Sequence, residues 1–195
     1  MDEATIHAAE NTPAGIVTLG DIQPGDVEAI VNYWHGAADL QFLGIDPLIL
    51  GTPAETRRRY IRAIRTGDPD QSAMAFAIRM NGAFAGYTLL NRYTPEVNYS
   101  HWHITEPGLR RSGLSTVLYP HRIRVYFDVA RLSRLTHQTR TRNAGVNRML
   151  DKFVPVAETL FIERPDGVAG PGYFHLRYVH ANDIPGFFKR AKSFT

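Results

Sequence analysis

Apolar positions along the chain fall into short runs whose period changes several times. From residue 15, "GIVTLGDI" alternates apolar and polar side chains as a half-buried strand does. "QPGDVEAIVNYWHG" then sets Val27, Ile30, Val31 and Trp34 at helical spacing and stops at Gly36. "ADLQFLGIDPLILG" has no clean period, which predicts a loop with one helical turn that could roof a pocket; its Phe42 and Leu43, like Trp34, read as core or lid packing. In "TPAETRRRYIRAIRTG", Thr52 and Glu55 form a capping box, Pro53 takes the first helical position and Gly67 marks the stop. Two apolar runs follow in "AMAFAIRMNGAFAGYTLLNRY", joined by Asn81-Gly82, the strongest short signal for a hairpin. "YSHWHIT" is a third strand, with Tyr99, His101 and His103 on one face and Ser100, Trp102 and Ile104 on the other.

After a turn at "EPGLRRSG", "STVLYPHRIRVYFDVARL" reads as helix despite Pro120, "SRLTHQTR" as strand and "NAGVNRMLDKF" as a shorter helix. "AETLFIE" and "YFHLRYVH" form a last pair of strands, separated by the Gly/Pro connection "RPDGVAGPG". This order predicts a mixed α/β domain with a largely antiparallel sheet flanked by helices. One domain is expected over residues 15–180, with an irregular N-terminus at 1–14 and an irregular tail at 181–195.

Composition narrows the class. With 195 residues, 44% hydrophobic and 21% charged, the chain is long enough for one well-buried core. It has no cysteine, so disulfides and thiolate zinc sites are ruled out. "MDEATIHAAENTPAG" carries early acids and no apolar core of a signal peptide, and no window approaches a membrane span, so a cytoplasmic protein with no membrane partner is expected. The formal net charge is only +3, yet basic residues concentrate in "TRRRYIRAIR" and between Arg110 and Arg148. That pattern suits a phosphate-bearing ligand as well as a nucleic acid. No aromatic-basic RNA motif accompanies it, so nucleic acid is not the expected partner.

The chemistry points to the segment Arg110-Arg111-Ser112-Gly113-Leu114-Ser115-Thr116, between a strand and a long helix. A helix start presents unpaired backbone N–H groups and the positive end of the helix dipole, so an anion fits there. Gly113 would let the backbone approach a phosphate, Ser112, Ser115 and Thr116 add hydroxyls, and Arg110 or Arg111 can pair with the charge. Neither the Walker lysine signature nor the three-glycine dinucleotide pattern is present. Alone, the loop could equally be a basic surface turn.

Arg110-x-x-Gly113-x-Ser115 resembles the pyrophosphate loop Gln/Arg-x-x-Gly-x-Gly/Ala of the GCN5-related N-acetyltransferase (GNAT) superfamily, and the element order is similar to that superfamily's. "TRNAGVNRMLDKF" resembles its Asn-x-x-Ala-x-x-Leu-Tyr-x-Lys segment, with Asn143 and Lys152 matching. The helix and loop layout before the first matching strand looks closest to the RimJ/RimL-like branch, and the likeness covers roughly residues 15 to 179. It implies a sheet whose central strands, here "YSHWHIT" and "LTHQTR", splay apart around the acyl thioester of coenzyme A. It also implies an acyl-CoA-dependent N-acyltransferase, with acetyl-CoA the expected cosubstrate, no metal, and a small-molecule or peptide primary amine as acceptor. The cofactor-binding residues would be Ile104, Thr105, Arg110, Arg111, Ser112, Gly113, Leu114, Ser115, Thr116 and Asn143, with backbone N–H groups near Ile104 and Thr105 stabilising the oxyanion.

An ammonium must lose a proton before it can attack, and histidine suits that task, which makes His101 and His103 the catalytic candidates. His101 stands at about the strand position where arylalkylamine acetyltransferases carry a catalytic histidine. Either histidine could instead be structural, and as a zinc pair they would need a third ligand. Asn143 could simply cap its helix.

Three departures matter. Ser115 replaces the usual small Gly/Ala, Pro120 removes a backbone donor early in the helix, and Leu150 stands where many members place the tyrosine that protonates the leaving thiolate. The acid would come from Tyr119, Tyr173, Tyr178 or water. Alternatively the chain is a catalytically inactive domain of this kind that senses a ligand or binds a protein or RNA. The acceptor should lie between "ADLQFLGIDPLILG" and "RPDGVAGPG": an aromatic lining would favour an arylalkylamine or a hydrophobic N-terminus, an acidic one a polyamine or aminoglycoside. The final strand pair could form a homodimer.

Overall fold

The computed structural model describes residues 5–36, 45–64, 73–94 and 96–194. The elements are β1 (Ile6–Thr12), β2 (Gly15–Asp21), α1 (Pro24–Gly36), α2 (Pro47–Leu50), α3 (Pro53–Ile64), β3 (Ala73–Met80), β4 (Ala83–Arg92) and β5 (Asn98–Ile104). They continue with α4 (Leu114–Ala130), β6 (Leu135–Arg140), α5 (Ala144–Leu150), β7 (Glu158–Ile162), β8 (Gly172–Val179) and α6 (Ile184–Lys192). All eight strands form one sheet in the order β1-β2-β3-β4-β5-β6-β8-β7.

Local chemistry sets the boundaries. The β3–β4 hairpin turns at Asn81 (φ 51°) and Gly82 (φ 82°), both positive as a tight primed turn requires. At the start of α3 the Thr52 N–H donates to Glu55 Oε2 at 2.7 Å and the Glu55 N–H returns to Thr52 Oγ1 at 3.3 Å, the reciprocal bonds of a capping box. The predicted stop at Gly67 lies outside the described residues, as do Phe42 and Leu43.

The sheet is covered on both faces. Met74, Phe76 and Ile78 of β3 join the core beneath α4 and α6, whereas the intervening Ala75 and Ala77 join the core under α1 and α3. Small residues on that second face leave room for Trp34 and Tyr60. Because both faces are buried, β3 reads as an apolar run rather than an alternation.

Neighbouring strands run antiparallel with one exception. β5 and β6 are parallel and pair only at Tyr99 with Thr136. In β5 the Thr105 N–H, just past the strand, donates to the Ala85 carbonyl at 3.0 Å. Antiparallel ladders alternate, so His101, His103 and Thr105 turn their backbone groups to β4. Those of Trp102 and Ile104 then face the gap where β5 and β6 have parted.

Two segments expected to be irregular are ordered. Residues 6–12 form β1, an edge strand that buries only Ala8, so its exposed sequence carries no apolar period. Residues 184–192 form α6, with Pro185 in its first turn. Its Phe187, 1% exposed, packs edge-on against Tyr119 at 5.2 Å and closes the core over α4. Burial of such a ring contributes about 2 kcal/mol toward docking this terminal helix. No helix among the described residues is long and apolar enough to cross a membrane.

Candidate active site

The parted strands open into a cleft of about 1020 Å³ that runs from the start of α4 to the ends of α1 and α3. One end is built by backbone. Gly113 caps α4 in the left-handed region (φ 84°) without a side-chain cap, and Arg111 is also left-handed (φ 67°). A Cβ at Gly113 would touch nothing within 4 Å, so the glycine answers to its φ and to approach from the cleft rather than to crowding within the chain. The N–H groups of Thr116 and Val117 turn back to the Gly113 carbonyl at 2.8 and 3.2 Å. Those of Arg111, Gly113 and Ser115 have no acceptor among the described residues. This row of free amides, at the positive end of a 17-residue helix, is a nest for an anion. Arg110, Arg111, Arg148 and Lys152 line the same part of the cleft. Arg110 Nε donates to the Ile104 carbonyl at 3.2 Å, and Lys152 Nζ to Thr116 Oγ1 at 3.3 Å.

The other end is built by side chains. His101 Nε2 is hydrogen-bonded to Asp166 Oδ2. The same carboxylate accepts from Tyr93 Oη at 2.6 Å and Asn91 Nδ2 at 2.8 Å, and the Asp166 N–H donates to Gln138 Oε1 at 2.7 Å. Only 2% of the Asp166 side chain is exposed. Burial opposes its ionisation, but the hydrogen bond and charge of His101, with Tyr93 and Asn91, outweigh that and hold the carboxyl below its ordinary value. Burial, with Asp166 beside it, raises the Tyr93 phenol, which therefore stays a donor. With Nε2 bound to Asp166, His101 Nδ1 has no partner among the described residues and is not enclosed. Gly167 (φ 79°) packs under the ring, where a Cβ would lie 3.2 Å from His101 Cε1.

His103 has different surroundings. Its ring stacks on Tyr87 with centroids 5.0 Å apart and meets Trp34 edge-on at 4.8 Å, and its Nδ1 lies 3.3 Å from Tyr33 Oη. Burial among these rings, with His101 nearby, pushes its pKa down to about 3. Behind it Trp34 Nε1 donates to Tyr87 Oη at 2.7 Å, and Tyr60 Oη lies 2.8 Å from the same oxygen.

Of the twelve residues assigned to catalysis or cofactor binding from the sequence, ten line this cleft: His101, His103, Ile104, Arg110, Arg111, Gly113, Leu114, Ser115, Thr116 and Asn143. Thr105 and Ser112 do not. The Thr105 N–H is committed to Ala85, so of the two expected oxyanion donors only Ile104 is turned to the gap. Ser112 Oγ donates to the Leu109 carbonyl at 2.7 Å and holds the loop instead. Asn143 Oδ1 accepts from the Val146 N–H at 3.3 Å and so caps α5.

Leu150 is fully buried in the main core. None of the three tyrosines considered as acids lines the cleft: Tyr119 is buried against His137 at 3.0 Å, Tyr173 is exposed, and Tyr178 donates to Glu158 at 2.7 Å. Sequence reasoning missed Tyr33, Asn91, Tyr93, Gln138 and Asp166. Their one local signal was the acid in the Pro-Asp-Gly turn of the long β7–β8 connection. Among the described residues no three His, Asp or Glu side chains gather as metal ligands do.

Solved structures with the same architecture decide what this arrangement resembles. RimJ of Mycobacterium smegmatis, in complex with a coenzyme A disulfide, superposes with a TM-score of 0.74 over 98% of this chain and 93% of its own, at 16% identity. The fold is that of the GCN5-related N-acetyltransferases. RimL, a ribosomal alpha-N-protein acetyltransferase in complex with coenzyme A, matches this acetyltransferase fold with a TM-score of 0.70 over 92% of this chain and 99% of its own, at 12% identity. A chimera of the Vibrio cholerae spermidine N-acetyltransferase SpeG gives 0.67 over 87% of this chain and 98% of its own, at 14% identity. No family model matches the sequence, and no curated protein does. A coenzyme A would meet free amides and arginines at one end of this cleft and, beside them, strand backbone turned into a gap.

Proposed function

We propose that the protein is an acyl-CoA-dependent N-acyltransferase, with acetyl-CoA as cosubstrate, acting on a primary amine. The observation that carries the reading is the imidazole of His101, held at Nε2 by Asp166, lining the same cleft as the free amides of the 111–115 loop. The bound coenzyme supplies a thioester whose carbonyl carbon forms the C–N bond as its C–S bond breaks.

The protein's residues do the rest. Arg111, Gly113 and Ser115 offer amides to the pyrophosphate, with Arg110, Arg148 and Lys152 adding charge. Trp102 turns its backbone N–H and carbonyl to the pantetheine, while Ile104, whose carbonyl is engaged by Arg110, keeps its N–H for the charge growing on the acyl oxygen. His101 Nδ1 takes the proton that the ammonium must lose. Asp166 is a positioning residue: it accepts the Nε2 proton, fixes the tautomer and holds the ring. His103 is not a base in this scheme, since a nitrogen that protonates only near pH 3 has little affinity for a proton at neutral pH. It belongs to the acceptor wall. With Leu150 in the core, the proton needed by the departing thiolate returns from His101 or from water.

Steady-state transfer from acetyl-CoA to a primary amine tests this. His101→Gln should lower kcat/KM by roughly 100-fold or more, the usual worth of a general base, with coenzyme binding unchanged. Undiminished turnover in that variant would remove His101 from the mechanism. The buried Leu150 favours one alternative, a domain that binds the coenzyme without turning it over. Coenzyme binding with no transfer to any amine would establish it.

A further inference from the structure

The acceptor end of the cleft differs in kind from the coenzyme end. Around His101 its wall is aromatic and apolar: Tyr33, Trp34, Tyr93, Ile45, Leu89 and Val168. The charged side chains near it are one carboxylate, Asp166, and several cations: Arg110 lies close enough to act on the Tyr33 phenol, Arg140 donates to the Gly170 carbonyl of the connection that carries Val168, and Arg59 lines the wall from α3. Asp166 is the only carboxylate among the described lining residues, and it is already engaged. Its two oxygens accept from His101, Tyr93 and Asn91, and its side chain is 2% exposed, so it has no free face for a second ammonium. Arg59 is an exposed cation on α3 that donates to the Ile49 carbonyl at 3.3 Å and lies within electrostatic reach of Glu55 one turn before it. His103, the polar ring of the floor, is packed among Tyr33, Trp34 and Tyr87 and stays neutral.

We infer that the amine acceptor is a monocation with an aromatic or branched apolar body, preferred over polyamines. This rests on the acyltransfer reading for the identity of the site, but it concerns which amine the wall accepts. A single ammonium can be held over the electron-rich faces of the tyrosines and the indole until His101 takes its proton. Its apolar body then fills the wall and leaves water. A second or third ammonium would find no free carboxylate among the described lining residues and would meet Arg59 and Arg110 as like charges. Discrimination comes from what the wall lacks as much as from what it offers.

The test reads binding apart from turnover. The chain has two tryptophans, of which Trp34 belongs to this wall, so tryptophan fluorescence of the coenzyme A complex reports amine binding. 2-Phenylethylamine and spermidine are titrated separately, with a Trp34→Phe variant to assign the signal. Phenylethylamine is expected to bind at least 30-fold more tightly, about 2 kcal/mol. Arg59→Glu, at an exposed position, should narrow that ratio by roughly tenfold through tighter spermidine binding. Spermidine binding as tight as phenylethylamine, or saturable binding of neither, overturns the inference. Acetyl transfer measured in parallel separates the two readings. Phenylethylamine that binds but is never acetylated contradicts acyl transfer and leaves the acceptor class standing. Spermidine acetylated as efficiently as phenylethylamine keeps acyl transfer and overturns the acceptor class.

Discussion

The two ends of the cleft are made by different means. The proposed coenzyme end comes from one continuous stretch, Arg110 to Thr116, in which left-handed Arg111 and Gly113 turn alternate amides outward at a helix start. The proposed acceptor end is assembled from α1, β4, β5, β6 and the β7–β8 connection, so that His101 meets Asp166 across 65 residues of sequence. A site made by local backbone geometry leaves a sequence signature. One made by packing distant side chains does not.

The largest effect is expected at the proposed coenzyme end. Gly113→Asp keeps a residue type that tolerates the left-handed conformation but sets a carboxylate in the anion nest. Acetyl-CoA affinity should fall about 100-fold by calorimetry, with Tm lowered only slightly; equal affinity would mean that the phosphates lie elsewhere. At the acceptor end, Asp166→Asn keeps a hydrogen-bond acceptor but loses the charge that steadies a protonated His101. We expect kcat to fall roughly tenfold while acetyl-CoA affinity and Tm hold. A loss of stability with kcat intact would reduce Asp166 to a strut for its loop.

The smallest effect concerns acid stability. The pKa of His103 falls from 6.5 to about 3 on folding, so protonation favours the unfolded chain. Its contribution is complete above pH 6.5 and is lost as pH drops toward 3. Asp166, with its carboxyl held below the ordinary 3.8, contributes stability above that value and loses it as pH falls from there through the lowered folded one. Unfolding midpoints of His103→Gln should therefore depend less on pH between 6.5 and 4 than those of the parent. Equal slopes would show that His103 titrates as an exposed ring does.

The same contrast explains what the sequence revealed. The Asn81-Gly82 hairpin, the Thr52–Glu55 box and the face-sharing of His101 and His103 are local, and each stands as expected. β1 escaped notice because an edge strand that buries one alanine has no pattern to show, and α6 because its short helix is stabilised by Phe187 meeting distant Tyr119. Asp166 lay in a turn whose chemistry is ordinary until folding sets it against His101. Thr105 looked equivalent to Ile104 until strand register turned its N–H to Ala85.

The most direct test of the central claim is a calorimetric titration of the wild-type protein with acetyl-CoA at fixed salt. The account predicts saturable binding of one coenzyme per chain at micromolar concentration, weakened by added pyrophosphate. A folded protein that takes up no acetyl-CoA at millimolar concentration would contradict it, and the loop at Gly113 would then be only a turn.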